Sequence, residues 1–174
     1  MKQSLYRLEP LAAQHDRQGF HCGVEALDAY LKTQASQDMR RKANAVFVLT
    51  PLAAPSTVAG YFTLCAFALP PGTVPDAARK LIPRYPMVSA TLIGRLAVRK
   101  ELQGQGVGTI LLARALAKAY ENAAVVGSSM VVVDAIDENA ARFYCSHGFI
   151  PLPESMRLIL PMPTIEQGMK TEGA

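Results

Sequence analysis

No run of apolar residues in the chain approaches the roughly 18 that a membrane-spanning helix needs. The opening segment Met1–Pro10 also lacks the apolar stretch of an export signal. The expectation is a cytoplasmic protein with no membrane partner. The three cysteines, Cys22, Cys65 and Cys145, are odd in number, widely spaced and never in a C-x-x-C pair. They read as reduced, mostly buried thiols rather than a disulfide frame. The three histidines, His15, His21 and His147, show no H-x-x-x-H spacing, so no metal is expected. No segment is compositionally biased, and nothing repeats with the roughly 20–50-residue period of solenoids. What remains is an ordinary globular chain of 174 residues, 50% of them hydrophobic. That length suits one domain burying roughly 70% of its unfolded surface.

Charge is placed unevenly. Residues 1–90 hold ten Lys and Arg against six Asp and Glu, whereas residues 91–174 hold eight of each, so the first half carries the whole excess of +4. The excess is densest in "KTQASQDMRRK", with Lys32, Arg40, Arg41 and Lys42 against Asp38. Such a cluster is either a solvated helix end, which suits the helix dipole, or a surface for phosphates.

Apolar periodicity sets the elements. "SLYRLEPL" partly alternates, as a first strand would. In "GVEALDAYLKTQASQDMRRK", Val24, Leu27, Leu31 and Ala35 fall at helical spacing. "NAVFVLT" and "TVAGYFTLCAFAL" are β-rich runs joined by the turn-prone "PLAAPS". Residues 70–87 hold five prolines, a functional-length loop with room for one short helix at "DAARKLI". "MVSATLIGRLAV" is a strand, and a long amphipathic helix follows the glycines at 104, 106 and 108. "SSMVVVDA" has the continuous apolar run of a strand buried on both faces. "DENAARFYCSH" is a short helix stopped by Gly148, and "MRLILPM" closes the sheet. The order β-α-β-β-β-α-β-α-β gives an α/β mixed sheet with helices on both faces, one domain over residues 1–162. The polar tail at 163–174 is expected to fray.

The junction "GRLAVRKELQGQGVGTILLARALAKAY" passes from strand through glycines to helix, the arrangement of a ready anion site. It is not a mononucleotide loop, because Gly108 is followed by Thr109 and Ile110 and the knot holds no lysine. Nor is it a dinucleotide fingerprint, since "GQGVG" gives G-x-G-x-G, one residue short. What fits is Q-x-x-G-x-G at Gln103, Gly106 and Gly108, preceded by "RLAV". This resembles the acetyl-coenzyme A signature of the GNAT superfamily of acetyltransferases. A second motif agrees: "ENAARFYCSHGF" satisfies the family frame A-x-x-x-Y-x-x-x-G-F at Ala140, Tyr144, Gly148 and Phe149.

The resemblance implies a GNAT fold, acetyl-CoA as co-substrate and no metal. Backbone amides of Gln103, Gly104, Gln105, Gly106, Val107, Gly108 and Thr109 would hold the pyrophosphate, where glycines leave room for a diphosphate. The edge Leu96, Ala97 and Val98 would pair with the pantetheine arm as an added strand does. A strand N–H at Ala97 or Val98 would meet the forming oxyanion. Tyr144 matches the family's acid, which protonates the leaving thiolate; a phenol near pKa 10 stays protonated at neutral pH. Many relatives carry asparagine seven residues before that tyrosine. This chain has Asp137 there and Asn139 two places later, so the choice between them stays open, with Asn139 and Phe143 as coenzyme candidates.

The acceptor is less legible. "MVSATLIGRLAV" holds no acid, and the next strand offers only Asp134 at its end. A lysine near pKa 10.4 needs a base far more than an α-amine near 8, so the pattern favours an α-amine. A narrower resemblance points the same way: "FHCGVEALDAYLKTQASQD", with its F-x-C-G-x-x-x-L-D-x-[YW]-L frame, is similar to GNAT toxins of bacterial toxin–antitoxin modules. That resemblance implies acetylation of the amino acid on charged tRNA, a ribbon-helix-helix antitoxin and a homodimer. The implied tRNA contacts are Arg40, Arg41, Lys42, Arg79, Lys80, Arg84 and Arg95. The alternatives are an ordinary acetyltransferase of a small-molecule or protein amine, and a non-catalytic acetyl-CoA-binding regulator.

Overall fold

A computed structural model of the chain describes residues 5–173. Ser4, where the first strand is expected to begin, and Ala174, the end of the expected tail, lie outside the described residues. The described strands are β1 (Tyr6–Pro10), β2 (Ala45–Pro51), β3 (Gly60–Leu69), β4 (Val88–Val98), β5 (Met130–Asp134), β6 (Ile150–Pro151) and β7 (Arg157–Pro161). They form a seven-stranded mixed sheet in the order β1-β2-β3-β4-β5-β7-β6. The helices are α1 (Glu25–Thr33), α2 (Ala35–Arg40), α3 (Asp76–Arg79), α4 (Val107–Ala123), α5 (Glu138–Ser146) and α6 (Met162–Gly173). No described helix is long and apolar enough to cross a membrane. The chain divides into two compact units, one from the N-terminal segment to Cys65 with Gly94–Ala115, the other Ala66–Ile93 with the residues from Leu116 onward.

In the first unit β1 and β3 flank β2 as antiparallel partners, with Leu8 opposite Leu49 and Phe47 opposite Phe62. The Phe47 and Phe62 rings stack at 5.3 Å across the strands, the kind of cross-strand pair that fixes register. Tyr30, Leu31 and Ala35 from the helices bury against Val46, Val48 and Tyr61. Tyr61 is fully buried, stacks on Tyr30 at 6.4 Å, and donates its hydroxyl to the Leu27 carbonyl at 2.6 Å. The single helix expected from Val24 to Lys42 is two. Thr33 Oγ1 donates to the Ala29 carbonyl at 2.7 Å, a back-bond that bends helices, and Gln34, at the joint between the two, stays right-handed with φ stretched to −119°. α2 then ends in a paired-carbonyl cap: Ala43 N–H reaches Asp38 O at 2.8 Å and Lys42 N–H reaches Met39 O at 3.2 Å. Lys42 takes the left-handed position at φ 60° that glycine normally fills in this cap.

In the second unit β4 and β5 run parallel from Thr91↔Val131 to Ile93↔Val133, and β5 pairs antiparallel with β7 from Met130↔Pro161 to Asp134↔Arg157. Met130–Val133 are all buried, as the continuous apolar run requires. The proline-rich segment carries a 3-10 turn at Pro71–Thr73 and the one-turn α3, and Val74, Ala78 and Ile82 sink into a cluster with Val88, Ala90, Met130 and Ile159. Two expectations need correction. The segment from Pro163 does not fray: it is α6, anchored by buried Met162 and Ile165 and by Tyr120, whose hydroxyl donates to Glu166 at 2.8 Å. Two anchors one helical turn apart are too sparse to show in a polar segment. Cys145 is exposed, unlike buried Cys22.

The start of α1 has no side-chain cap at Val24. Its tie is Asp28, buried, which accepts from Cys22 N–H at 2.9 Å and from His21 Nδ1 at 3.0 Å. Burial opposes ionisation of this carboxyl, but the hydrogen bonds from Cys22 and His21 outweigh it and hold it below its ordinary value of 3.8. Asp28→Ala leaves the Cys22 N–H buried without its acceptor and should cost about 1–3 kcal/mol by urea unfolding. Because the folded value is depressed, the stabilisation is complete above pH 3.8 and fades as pH falls through the folded value. Wild type and Asp28→Ala should therefore converge in stability on acidification; a constant gap would refute the role given to the carboxylate.

Candidate active site

β4 pairs with β5 only as far as Ile93↔Val133, yet the strand continues to Val98. Along that extension Ala97 is buried and Leu96 and Val98 are half-buried. A 3-10 turn at Lys100–Leu102 leads into residues 103–106, and α4 begins at Val107. Gly104 and Gly106 sit at φ 76° and 84°, which side-chain-bearing residues rarely adopt, and a Cβ on either would meet nothing within 4 Å. The turn thus faces open space. Ile110 N–H to Gly106 O at 3.2 Å opens the helical ladder. The amides of Val107 and Gly108 ahead of it have no carbonyl of their own helix to take, and the dipole of a 17-residue helix backs them. Open glycines and forward-facing amides fit a diphosphate.

The candidates of this turn divide by what they touch. Gly104, Gln105, Gly106 and Thr109 are exposed, Gly108 is half-buried, and Val107 is buried, seating the helix. Gln105 Nε2 donates to Glu101 O at 3.0 Å. Gln103 turns inward: its Nε2 donates to Cys22 O at 2.7 Å and Val98 O at 2.9 Å. Both amide hydrogens are thereby used, so the Gln103 side chain shapes the turn. Lys100 N–H reaches His21 O, and Arg99 bonds the Gly19 and Val58 carbonyls, each at 2.8 Å.

α5 carries the second motif. Asp137 is its N-cap, accepting from Ala140 N–H at 2.8 Å, a role that explains an acid at that place. The Asn139 side-chain oxygen accepts from Arg142. Phe143 is half-buried, its ring edge-on to Tyr144 at 5.4 Å. Tyr144 is 8% exposed, with Phe149 at 5.4 Å on another side. Burial pushes its phenol up to about 12. Among the described residues nothing hydrogen-bonds its hydroxyl, which leaves the donor uncommitted within the protein.

The basic candidates fare differently from one another. Arg40, Arg41 and Lys42 are exposed at the end of α2, and Lys80 and Arg84 are exposed in the second unit. Arg79 is spent on its own loop: it bonds Val74 O at 3.0 Å and Gly72 O at 3.2 Å and pairs with Asp76 at 3.4 Å. Arg95 is half-buried with its guanidinium 3.5 Å from the centre of the Tyr30 ring. The Tyr30 hydroxyl in turn donates to Asp38 at 2.7 Å. Asp134 is held by Arg157 through two bonds, Nε to Oδ1 at 2.8 Å and Nη2 to Oδ2 at 3.1 Å. Sequence reasoning missed Arg157, since only the register of β5 on β7 brings residues 23 apart together.

Comparison with known proteins supplies the family. Residues 74–151 match the acetyltransferase (GNAT) domain family. The tRNA-acetylating toxin of Mycobacterium tuberculosis is 28% identical over 148 residues, covering 84% of this chain and 86% of the toxin. The structure of AtaT complexed with acetyl-methionyl-tRNAfMet is 34% identical, covers 94% of this chain and 99% of AtaT, and superposes with a TM-score of 0.85. A tyrosine-to-phenylalanine mutant of the AtaT toxin, bound to the C-terminus of the antitoxin AtaR and acetyl-CoA, is 31% identical over 95% of this chain and 98% of its own, with a TM-score of 0.81. The glycine turn, the uncommitted tyrosine and a match along nearly the whole chain give one answer: this chain is an acetyltransferase of the GNAT family, in the branch that holds the GNAT toxins.

Proposed function

We propose that the protein moves the acetyl group of acetyl-CoA onto the α-amine of an aminoacyl-tRNA, blocking translation as the toxin of a toxin–antitoxin module. The observation that carries this is the match, along 94% of the chain, to a toxin solved with its acetylated aminoacyl-tRNA. The local geometry supports it. The open turn at Gly104 and Gly106 with the first amides of α4 receives the pyrophosphate, and Leu96–Val98 offers strand edge to the pantetheine arm. Asn139 and Phe143 flank the coenzyme on α5. The amine nitrogen bonds to the acetyl carbon as the carbon–sulfur bond breaks, the amine's proton leaves to water, and Tyr144 offers its hydroxyl hydrogen to the departing sulfur. A phenol raised to about 12 gives up its proton reluctantly to a thiolate of ordinary basicity near 8.5. Tyr144 thus acts chiefly as a hydrogen-bond donor to the developing charge, worth about 1.5–3 kcal/mol.

Arg40, Arg41, Lys42, Lys80 and Arg84 meet tRNA phosphates. Arg79 and Arg95, tied within the protein, contribute shape more than charge. The protein acts in the cytoplasm as a homodimer, held in check by a ribbon-helix-helix antitoxin.

The following outcomes are expected. Gly106→Val fills the open turn and should weaken acetyl-CoA binding at least tenfold, about 1.4 kcal/mol by calorimetry; unchanged affinity in a folded variant removes the turn from the site. Tyr144→Phe should lower turnover about 10²-fold with coenzyme affinity nearly unmoved, and wild-type turnover would leave Tyr144 structural. Finally, radiolabel from acetyl-CoA should appear on charged tRNA, at the amino acid, and never on uncharged tRNA. Binding should weaken as salt rises, with a slope flattened by neutralising Arg40, Arg41 and Lys42, or Lys80 and Arg84. Lys42→Gly should separate the two parts of this reading: relief of the left-handed strain stabilises the fold by about 1 kcal/mol, while tRNA affinity falls. Label on polyamines or protein lysines, with charged tRNA inert, would return the protein to the ordinary acetyltransferases.

A further inference from the structure

The glycine turn offers a phosphate nothing but backbone. From Gln103 to Thr109 there is no lysine, arginine or histidine, so the charge of a nucleotide ligand must be met by side chains beside the turn. Three basic residues are tied to its root. Arg99 is committed, bonding the Val58 and Gly19 carbonyls at 2.8 Å. The other two, His21 and Lys100, are joined by a backbone bond, Lys100 N–H to His21 O at 2.8 Å.

Each of these two presents one end outward. The His21 side chain is 69% exposed, yet its Nδ1 is fixed at 3.0 Å by Asp28, whose own side chain is buried. A carboxylate at Nδ1 sets the tautomer with the proton on that nitrogen. Nε2 is left, among the described residues, with no protein partner. Asp28 is fixed in turn by the Cys22 N–H at 2.9 Å. Lys100 lies across Gly23: its Nζ is 3.4 Å from where a Cβ on that residue would stand. Gly23, at φ 95°, leaves room for the ammonium beside the His21 peptide. Among the described residues Lys100 makes no ion pair. The acids that flank the pair in sequence, Glu25 and Glu101, are both exposed, where solvent and salt screen them.

We propose that His21 and Lys100 form a subsite for the 3′-phosphate of the coenzyme, a reading that rests on the glycine turn as the seat of its pyrophosphate. The chemistry of the ligand selects the occupant. Coenzyme A carries, one ribose away from the pyrophosphate, a phosphate monoester with about −1.5 to −2 charge at neutral pH. Such an anion takes an ammonium as counter-charge and a ring N–H as donor. One proton between Nε2 and a phosphate oxygen makes the second bond, and a monoester whose second pKa is about 6 shares it readily. The pair stands beside the turn rather than on it, as a phosphate one sugar away requires. The phosphates of a nucleic acid backbone are diesters of single charge and use less of the pair.

Calorimetry with coenzyme A and 3′-dephospho-coenzyme A tests this. Wild type should bind coenzyme A at least tenfold tighter than the dephospho form. His21→Ala and Lys100→Ala should each reduce that preference at least threefold, with affinity for the dephospho form changed less than twofold. Lys100 is exposed and unpaired, so its variant keeps the test if His21→Ala, which strips Asp28 of a partner, does not fold. Equal binding of the two coenzymes by wild type overturns the subsite, and so does a preference that survives in either folded variant. Gly106→Val separates this from the reading it rests on, since it should weaken both coenzymes alike. If it weakens neither while the His21 and Lys100 variants still lose the preference, the turn reading fails and the 3′-phosphate subsite stands. If a folded variant keeps the preference and instead lowers affinity for charged tRNA, that residue serves a tRNA phosphate and the assignment is overturned.

Discussion

A turn made of glycines has no side chains to hold its own shape, so its geometry must be imposed from outside. Here that is done by one amide group. Gln103 donates from Nε2 to the Cys22 and Val98 carbonyls, tying the turn to the segment ahead of α1 and to the strand from which it departs. Lys100 N–H to His21 O and Arg99 to Gly19 O repeat the tie on either side, so residues 19–22 and 99–103 are stitched by backbone carbonyls throughout. Asp28 anchors the other side of the stitch by holding Cys22 N–H and His21. The two glycines can then remain at positive φ with open space before them, and no side chain of the turn need enter it. Preorganised amides of this kind cost nothing to reorient when a ligand arrives.

This stitch also explains why the frame F-x-C-G-x-x-x-L-D-x-[YW]-L sits far from the glycines and still belongs to the same site. Phe20 is fully buried and lies edge-on to Tyr61 at 5.6 Å; Cys22 presents the carbonyl; Asp28 holds its amide; Tyr30 stacks on Tyr61 and carries Arg95 on its face. A guanidinium on an aromatic face is a cation–π contact worth on the order of 0.5–2 kcal/mol. It withdraws Arg95 from the freely solvated charges and lends rigidity to the extension of β4 that carries it.

Much of this was legible in the sequence, and the parts that were not share a cause. Strands with local signals appeared where expected: the β-rich runs around Phe47 and Phe62, the all-apolar Met130–Val133 and the glycine-to-helix junction all carry their evidence within a few residues. α6 was missed because its evidence is two apolar residues and one tyrosine from another helix, Tyr120. The break at Gln34 was missed because apolar spacing runs through it; only the Thr33 back-bond marks it. In the site, Gln103 was legible as a motif letter but not in its role, since a glutamine's letter does not say which way its amide turns. Arg157 and the retired charge of Arg79 depend on register and loop closure, which no spacing encodes.

The shortage of acid along β4 matches what the proposed α-amine acceptor would need. At pH 7.5 an amine of pKa near 8 is about a quarter unprotonated, whereas a lysine near 10.4 is about 0.1% so, a difference of roughly 200-fold in reactive form. An acetyltransferase for lysine must recover that factor with a well-placed base, and one for an α-amine need not. The one carboxylate at the end of β5, Asp134, has both oxygens engaged by Arg157, an arrangement poorly suited to removing a proton from the acceptor. Tyr144 fits the same economy: burial raises its phenol to about 12, and in the proposed mechanism it would act on the leaving sulfur as a hydrogen-bond donor. The chemistry is left to the intrinsic reactivity of an amine and a thioester, and the protein's work is to hold them in register.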